Sequence, residues 1–143
     1  VGFTTCAPEH FARGEQVDTM KRKQFVKGMN QIAQEGAIQI FFEPGGGMER
    51  VIVGVVGVLQ FEVLEYRLKN EYGVDVRRSN LSYQHIRWIE NEGLSPASLN
   101  ITSDTKWVQD FRGKNLLIFT SEWNIRWALE KNPGLVLSEF SRN

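Results

Sequence analysis

Two segments of the chain carry apolar residues at the spacing of an amphipathic helix. In the first segment these residues are Phe25, Met29, Ile32 and Ala33. Their recurrence at three or four residues predicts a helix with one apolar face. We place its start at Asp18, because a carboxylate at this position accepts N–H groups of the first turn. Gly36 is predicted to end it, because glycine readily adopts a positive φ.

The second amphipathic segment lies within residues 54–74. Its apolar positions are Val58, Phe61, Leu64, Leu68 and Tyr72. This spacing predicts a second helix, which ends at Gly73. We expect Leu64 and Leu68 to face the core. Glu65 and Lys69 have the i, i+4 spacing of an ion pair on the exposed side of the helix.

Segments rich in β-forming residues alternate with these two helices. Strands are predicted at residues 10–16, 37–44, 51–56 and 74–83. The loop between the second and third strands is short, so we expect an antiparallel hairpin there. The order strand, helix, strand, strand, helix, strand is the split βαβ pattern of ferredoxin-like folds. The predicted fold class is therefore α+β, with an antiparallel four-stranded sheet and both helices on one of its faces.

The remainder of the chain is predicted to be a C-terminal α/β extension. Its predicted elements are a strand at 85–90, a short helix begun by Ser95 and Pro96, a hairpin at 105–121 turning near Gly113, a helix capped by Ser121 and a strand at 135–140. No linker rich in proline, glycine or serine separates the halves. We therefore expect a ferredoxin-like domain at residues 1–88 and an extension at 89–143 that packs on it.

Composition narrows the classes of function. The chain has 143 residues with 41% hydrophobic and 24% charged, ordinary values for a globular protein. Its 17 basic and 17 acidic residues cancel, so no global field attracts nucleic acid or acidic lipid. With Cys6 as the one cysteine, no internal disulfide forms and a reducing compartment is expected. The sequence shows no signal peptide and no apolar run of membrane-spanning length. Because the sequence begins at Val1 and not at a methionine, we expect a processed product or a segment of a longer protein. We favour the segment.

Two glycines before the second helix raise the question of a phosphate-binding loop. A loop of the Walker type requires a lysine followed by serine or threonine. Here Gly54 and Gly57 are followed by Val58 and Leu59, which supply neither a cation nor a hydroxyl group. We therefore predict that both glycines serve close packing of the backbone.

The candidates for metal binding and nucleophilic catalysis are few. Cys6 and His10 have i, i+4 spacing, and His85 is remote in sequence. A structural zinc site needs four ligands, and further candidates are lacking. A cysteine–histidine nucleophile needs a group that orients the base, and the sequence offers none. We predict no catalytic residue, no metal site and no cofactor site in this segment.

Basic residues cluster at three places in the sequence. The clusters are Lys21, Arg22, Lys23 and Lys27, then Arg77 and Arg78, then Arg112 and Lys114. Most such clusters are solvated surface, but phosphate contact needs only local positive charge. The residues alone leave two hypotheses: a recognition arm of a larger machine, or a ferredoxin-like regulatory domain that binds a small ligand.

Several stretches resemble a known family. The stretches are "CAPEHFARGEQ", "KRKQFVKGMNQIAQEGAIQIF" and "VIVGVVGVLQFEVLEYRLKNEYGVDV". They resemble the C-terminal part of the bacterial peptide chain release factor 3 family. Residues 57–72 also resemble the third domain of elongation factor G, a related translational GTPase. The likeness is close at residues 7–88, looser to the end of the chain, and lowest at residues 89–114.

The resemblance implies a role in the termination of protein synthesis. Members of the family are cytoplasmic GTPases that drive the decoding release factor off the ribosome. Their GTP or GDP is held by an N-terminal domain, which this segment lacks. The segment would be a monomeric arm, without membrane contact, that touches rRNA and protein of the small ribosomal subunit. We predict Arg77, Arg78, Arg112 and Lys114 as its contact residues.

Overall fold

Two antiparallel sheets pack against each other, and helices cover both outer faces of the pair. The computed structural model describes residues 7–141. The strands are β1 (His10–Gln16), β2 (Gln39–Phe41), β3 (Ile52–Val55), β4 (Val76–Leu81), β5 (His85–Ile89), β6 (Lys106–Gln109), β7 (Asn115–Phe119) and β8 (Leu137–Ser138). The helices are α1 (Arg22–Gln34), α2 (Leu59–Tyr72) and α3 (Glu122–Lys131).

The first sheet has the strand order β2-β3-β1-β4, and its neighbouring strands are antiparallel. One face carries Ala12, Ile40, Val53 and Val55, which form a core with the apolar sides of α1 and α2. The predicted ferredoxin-like α+β arrangement is therefore confirmed. The predicted β2–β3 hairpin is also confirmed, although β2 is shorter than the expected strand.

Helix α1 has the apolar face that its sequence predicts. Phe25, Met29 and Ile32 are buried in the first core. Asp18 accepts the N–H of Met20 at 2.9 Å and caps a 3₁₀ turn, Thr19–Lys21, which leads into α1. The predicted cap at Asp18 is therefore confirmed, but it caps the 3₁₀ turn that precedes α1 and not α1 itself.

Helix α2 confirms most of its predicted pattern, since Phe61, Leu64 and Leu68 are buried and Gly73 ends the helix at φ 69°. Val58 is a correction: it lies just before α2 and is 54% exposed, because the chain is still turning there. The pairing of Glu65 with Lys69 is also wrong. Glu65 lies 3.2 Å from Arg78, because β4 passes beside this side of α2.

The second sheet has the strand order β6-β7-β5-β8. Its β6–β7 hairpin turns at Gly113, which has φ 79°, and Ser121 caps α3 by accepting the N–H of Asn124. These features confirm the predicted hairpin and cap. The short helix expected after Ser95 is a single 3₁₀ turn, Pro96–Ser98.

The core between the sheets explains their face-to-face packing. It contains Phe11, Phe41 and Ile52 from the first sheet and Ile86, Val108, Leu116 and Ile118 from the second. Strand β7 alternates: Leu116 and Ile118 point into this core, while Leu117 and Phe119 pack with α3. This alternation gives the fold four layers, with the two sheets as the inner pair.

The two sheets also meet at their edges. Beyond β2, the backbone of Phe42 exchanges two hydrogen bonds of 2.8 Å with Gln109 at the end of β6. The chain passes between the sheets through residues 82–84, and β5 already belongs to the second sheet, where Trp88 pairs with Leu116. The division into domains at residues 1–88 and 89–143 stays a prediction.

Candidate functional site

Gly54 lies within strand β3, just before the turn into α2, and is closely packed. A Cβ atom placed on Gly54 would lie 2.8 Å from Pro8 Cβ and 3.1 Å from Phe41 Cε2. The packing role of Gly54 is therefore confirmed. The same role for Gly57 is wrong, because a Cβ atom there would meet none of residues 7–141 within 4 Å.

A side chain occupies the backbone donors at the start of α2. Gln60 Oε1 accepts the N–H groups of Val56 and Gly57, both at 3.0 Å. Gln60 Nε2 donates in turn to the carbonyl oxygen of Ala37 at 2.9 Å. Phosphate-binding turns instead direct such N–H groups at the ligand.

We expect this chain to show no binding and no hydrolysis of GTP or GDP when it is titrated in a calorimeter. The physical reason is the absence of a phosphate loop in the sequence, together with the occupied donors around Gln60. Micromolar affinity for either nucleotide would contradict this prediction and return the turn at Gly54 to the list of candidate sites.

The two histidines, distant in sequence, line one groove in the structure. This groove, of about 620 Å³, lies between the start of α2 and the end of β4, and is also lined by Val58, Leu59 and Arg78. Cys6, the other residue of the weighed metal pair, lies outside the described residues. Among residues 7–141, no three His, Cys, Asp or Glu side chains are grouped closely enough to hold a metal ion.

The structure gives Arg77 and Arg78 different surroundings. Arg77 is exposed and lies opposite Glu15 in the β1–β4 ladder. Arg78 is half-buried: its guanidinium lies 5.1 Å from the centroid of the Phe61 ring, and its Nη1 lies 3.2 Å from Glu65 Oε1. Arg78 therefore fastens β4 to α2, and only Arg77 of this pair projects into solvent.

The turn of the β6–β7 hairpin, residues 110–114, is hereafter the β6–β7 tip. Asp110 is 8% exposed, and its Oδ1 accepts the N–H groups of Arg112 and Lys114 at 2.9 and 3.0 Å. Its Oδ2 accepts the Nε1–H of Trp88 at 3.1 Å. Gly113 donates its N–H to the carbonyl oxygen of Asp110 at 2.9 Å. The carboxylate is thus turned inward and holds the shape of the tip.

The cationic side chains of the β6–β7 tip accompany an exposed aromatic ring. Phe111 is 74% exposed, and the guanidinium of Arg112 lies 5.3 Å from the centroid of its ring. Lys114 is half-buried. Neither Phe111 nor Asp110 was among the residues predicted from the sequence. The aspartate could have been found, because Asp followed three residues later by Gly is typical of a type I turn.

The four predicted contact residues do not form one surface. Arg77 and Arg78 lie on β4, at one edge of the first sheet. The β6–β7 tip follows Gln109, which pairs with Phe42 beside the opposite edge strand β2. The four predicted contact residues therefore lie at two separate places.

A further cluster of charges joins the two sheets and was missed from sequence. The carboxylate of Glu43 lies 2.7 Å from Arg13 Nη1, 2.8 Å from Lys106 Nζ and 3.3 Å from Arg50 Nε. Burial of Glu43 opposes its ionisation, but the hydrogen bonds and charges of Arg13 and Lys106 outweigh it and lower its pKa to about 2. The cations around Glu43 are therefore bound within the fold.

The basic cluster at the start of α1 is mostly exposed. Arg22 pairs with Glu49 at 3.0 Å, and Lys21, Lys23 and Lys27 lie on the solvent side. In residues 7–141, none of the helices combines the length and apolar character that a membrane span requires.

Comparison with known proteins identifies the family. Residues 1–129 match the family described as class II release factor RF3, C-terminal domain. The chain belongs to this family. The predicted resemblance to the release factor 3 family is thereby confirmed, and the match extends through the second half of the chain as far as residue 129.

Three relatives illustrate the match to the release factor 3 family, and each is named peptide chain release factor 3. The protein of Symbiobacterium thermophilum is 44% identical over 135 residues, which cover 94% of this chain and 25% of the relative. That of Lactobacillus acidophilus is 40% identical over 132 residues, or 92% and 24%. That of Gloeothece citriformis is 35% identical over 140 residues, or 98% and 26%. The chain thus spans about a quarter of the length of these relatives.

Proposed function

We propose that this chain is the non-catalytic ribosome-docking arm of a cytoplasmic GTPase that promotes dissociation of decoding release factors during termination. Its membership of the release factor 3 C-terminal domain family supports this role. The relatives are about four times as long as the chain, since it covers 25% of the first of them. In this proposal GTP or GDP is bound by the remaining, N-terminal part of the parent protein, which acts as a monomer.

The β6–β7 tip is the observation that carries the docking role. Its one carboxylate, Asp110, is buried and engaged by three N–H donors. Arg112 and Lys114 outnumber this carboxylate, so the tip has a local positive charge, although the net charge of the chain is zero. Local charge on a rigid turn suits contact with the phosphates of rRNA on the small subunit.

The role of such an arm is positional. A contact shifts a conformational balance only if it is stronger in one state than in the other. We propose that the arm contacts the small subunit in one nucleotide state of the parent GTPase and loses part of that contact in the other. In the turn after β3, Gln60 already accepts the N–H groups of Val56 and Gly57. This agrees with a scaffold that transmits the conformational change and leaves nucleotide binding to another domain.

Reversing charge at the β6–β7 tip should weaken ribosome binding. We expect the double change Arg112→Glu and Lys114→Glu in the parent GTPase to lower its affinity for ribosomes. Loss of two phosphate contacts should reduce the slope of log affinity against log salt by about two. Sedimentation with ribosomes across a salt series measures both quantities, and a GTP-binding assay should show no change.

Two control variants make this experiment specific. The double change Lys23→Glu and Lys27→Glu alters net charge equally at exposed positions of α1 and should leave the affinity unchanged. Arg77→Glu alone tests the other basic place, without the packing damage expected at Arg78. An unchanged affinity in the tip variant would exclude the tip, and loss of GTP binding would contradict a purely positional arm.

A further inference from the structure

The apex of the β6–β7 tip carries a residue that the turn does not require. Gly113 donates to the carbonyl oxygen of Asp110, so Phe111 and Arg112 occupy the two central positions of this turn. These positions project from a hairpin and accept most residue types. Phe111 is 74% exposed and belongs to none of the three apolar cores that the described residues form. Folding therefore gives no reason for a large aromatic ring at this place.

The apex is held in one shape before any partner arrives. Asp110 accepts the N–H groups of Arg112 and Lys114, and its own N–H donates to the carbonyl oxygen of Lys114 at 3.0 Å. Trp88 Nε1 anchors the same carboxylate from β5. A ring presented on a fixed turn loses little conformational freedom on binding, which favours affinity.

The chemistry around Phe111 favours RNA as the partner. The guanidinium of Arg112 lies 5.3 Å from the ring centroid, and Lys114 follows two residues later. The only carboxylate of the tip is buried and engaged. An aromatic ring accompanied by cations, with no exposed acid in the turn, matches the pairing of base stacking and phosphate contact by which proteins bind unpaired nucleotides.

We propose that Phe111 stacks on an unpaired nucleobase of ribosomal RNA, while Arg112 and Lys114 contact the phosphates beside that base. This inference rests on the docking role proposed above and names the partner of the tip. In this proposal the neutral ring of Phe111 contributes to the affinity for ribosomal RNA in addition to the charges of Arg112 and Lys114. The contribution of the ring is independent of salt.

Three substitutions at Phe111 separate stacking from general apolar contact. Phe111→Trp keeps an aromatic face, Phe111→Leu keeps apolar area without one, and Phe111→Ala removes both. Binding of each parent GTPase variant to small ribosomal subunits is measured across a salt series. We expect the Ala and Leu variants to bind about ten- to one-hundred-fold more weakly, the range for loss of one base stack, and the Trp variant to bind normally.

The salt slope and thermal unfolding supply the internal controls. The slope should stay unchanged in all three variants, because no charge is removed. The unfolding temperature should also stay unchanged, because the ring is mostly outside the fold. Normal binding by the Leu variant would overturn stacking, and normal binding by the Ala variant would overturn any role for the ring.

Photo-crosslinking identifies the partner directly. Phe111→p-benzoylphenylalanine in the parent GTPase, irradiated on small subunits, should yield a crosslink to rRNA. A crosslink to ribosomal protein alone would overturn this inference while leaving the docking role in place. If the unaltered GTPase does not sediment with the small subunit at all, the docking role and this inference both fail.

Discussion

Replacing Leu68 by alanine lowers the free energy of unfolding by about 2–5 kcal/mol, the range for truncating a buried leucine. Leu68 is 0% exposed and lies where α2 meets α1. A Cβ atom on Gly28 would lie only 2.7 Å from Leu68 Cδ2, so the glycine of α1 makes room for this side chain. We expect an effect within this range, because Leu68 fills the space between the two helices and its truncation leaves a cavity there.

Ion pairs at the surface also link α2 to the end of α1. Arg67 on α2 donates to Glu35, just beyond α1, at 2.7 and 3.1 Å, and to Glu71 at 2.8 and 2.9 Å. Hydrogen bonds to Arg67 lower the pKa of both carboxyl groups, so the cluster is charged at neutral pH. Both carboxylates are substantially exposed, so we expect these ion pairs to contribute little to stability beside the burial of Leu68.

Chemical denaturation measures the effect of Leu68→Ala, and Val63→Ala is its matched control. Val63 lies on the same helix but is 51% exposed, so its truncation should change stability by less than about 0.5 kcal/mol. Equal effects at the two positions would mean that the buried face of α2 has been misassigned.

Replacing Glu43 by glutamine lowers the free energy of unfolding by about 2–4 kcal/mol, since it leaves Arg13, Lys106 and Arg50 without their common counter-ion. The Glu43 side chain is only 11% exposed, so solvent replaces the lost charge poorly. The change also removes the carboxylate that links Lys106 of the second sheet to Arg13 of the first. We therefore expect weaker attachment of the sheets as well as lower stability.

The pH dependence of stability reports the same carboxylate. The pKa of Glu43 falls from an ordinary 4.5 to about 2 in the folded protein. Its contribution is therefore complete above about pH 4.5 and is lost as the pH falls towards 2. The lowered pKa corresponds to about 2 kcal/mol after a discount for screening by solvent near the exposed Arg50.

Unfolding curves between pH 2 and 7 should therefore fall less steeply with acid for Glu43→Gln than for the unaltered chain. Glu49→Gln is the matched control: its partner Arg22 is also an arginine, but both side chains are more than half exposed. That change should leave stability within about 0.5 kcal/mol. An equal acid dependence with and without Glu43 would show that its cluster contributes nothing.

Local signals in the sequence were sufficient to predict most helices, strands and turns of the fold. Strand β1 has the predicted bounds, and Gly73 and Gly113 lie in left-handed conformations where an element ends or turns. These features depend on residues close together in the chain. The order of the elements then limits the sheet to few arrangements, and the split βαβ pattern was among them.

The surroundings of the charged residues could not be predicted from local sequence. Arg77 and Arg78 are neighbours in sequence, yet one is exposed and the other packs on Phe61, because successive residues of a strand face opposite sides. Glu43 gains two of its three cations from remote segments, Arg13 on β1 and Lys106 on β6. Asp110 accepts a hydrogen bond from Trp88, which reaches it from another strand. Each of these depends on tertiary contacts between distant positions.

The edges of the two sheets affect whether copies of this protein aggregate by pairing of strands. An open strand edge is a template for pairing with another chain. The Phe42–Gln109 pair brings the edges at β2 and β6 together, so each sheet partly closes the other. Among the described residues the outward edges are β4, which is polar and charged from Arg77 to Asn80, and β8, only 2 residues long. Neither suits strand exchange, so the charge of Arg77 protects against aggregation whether or not it touches a ribosome.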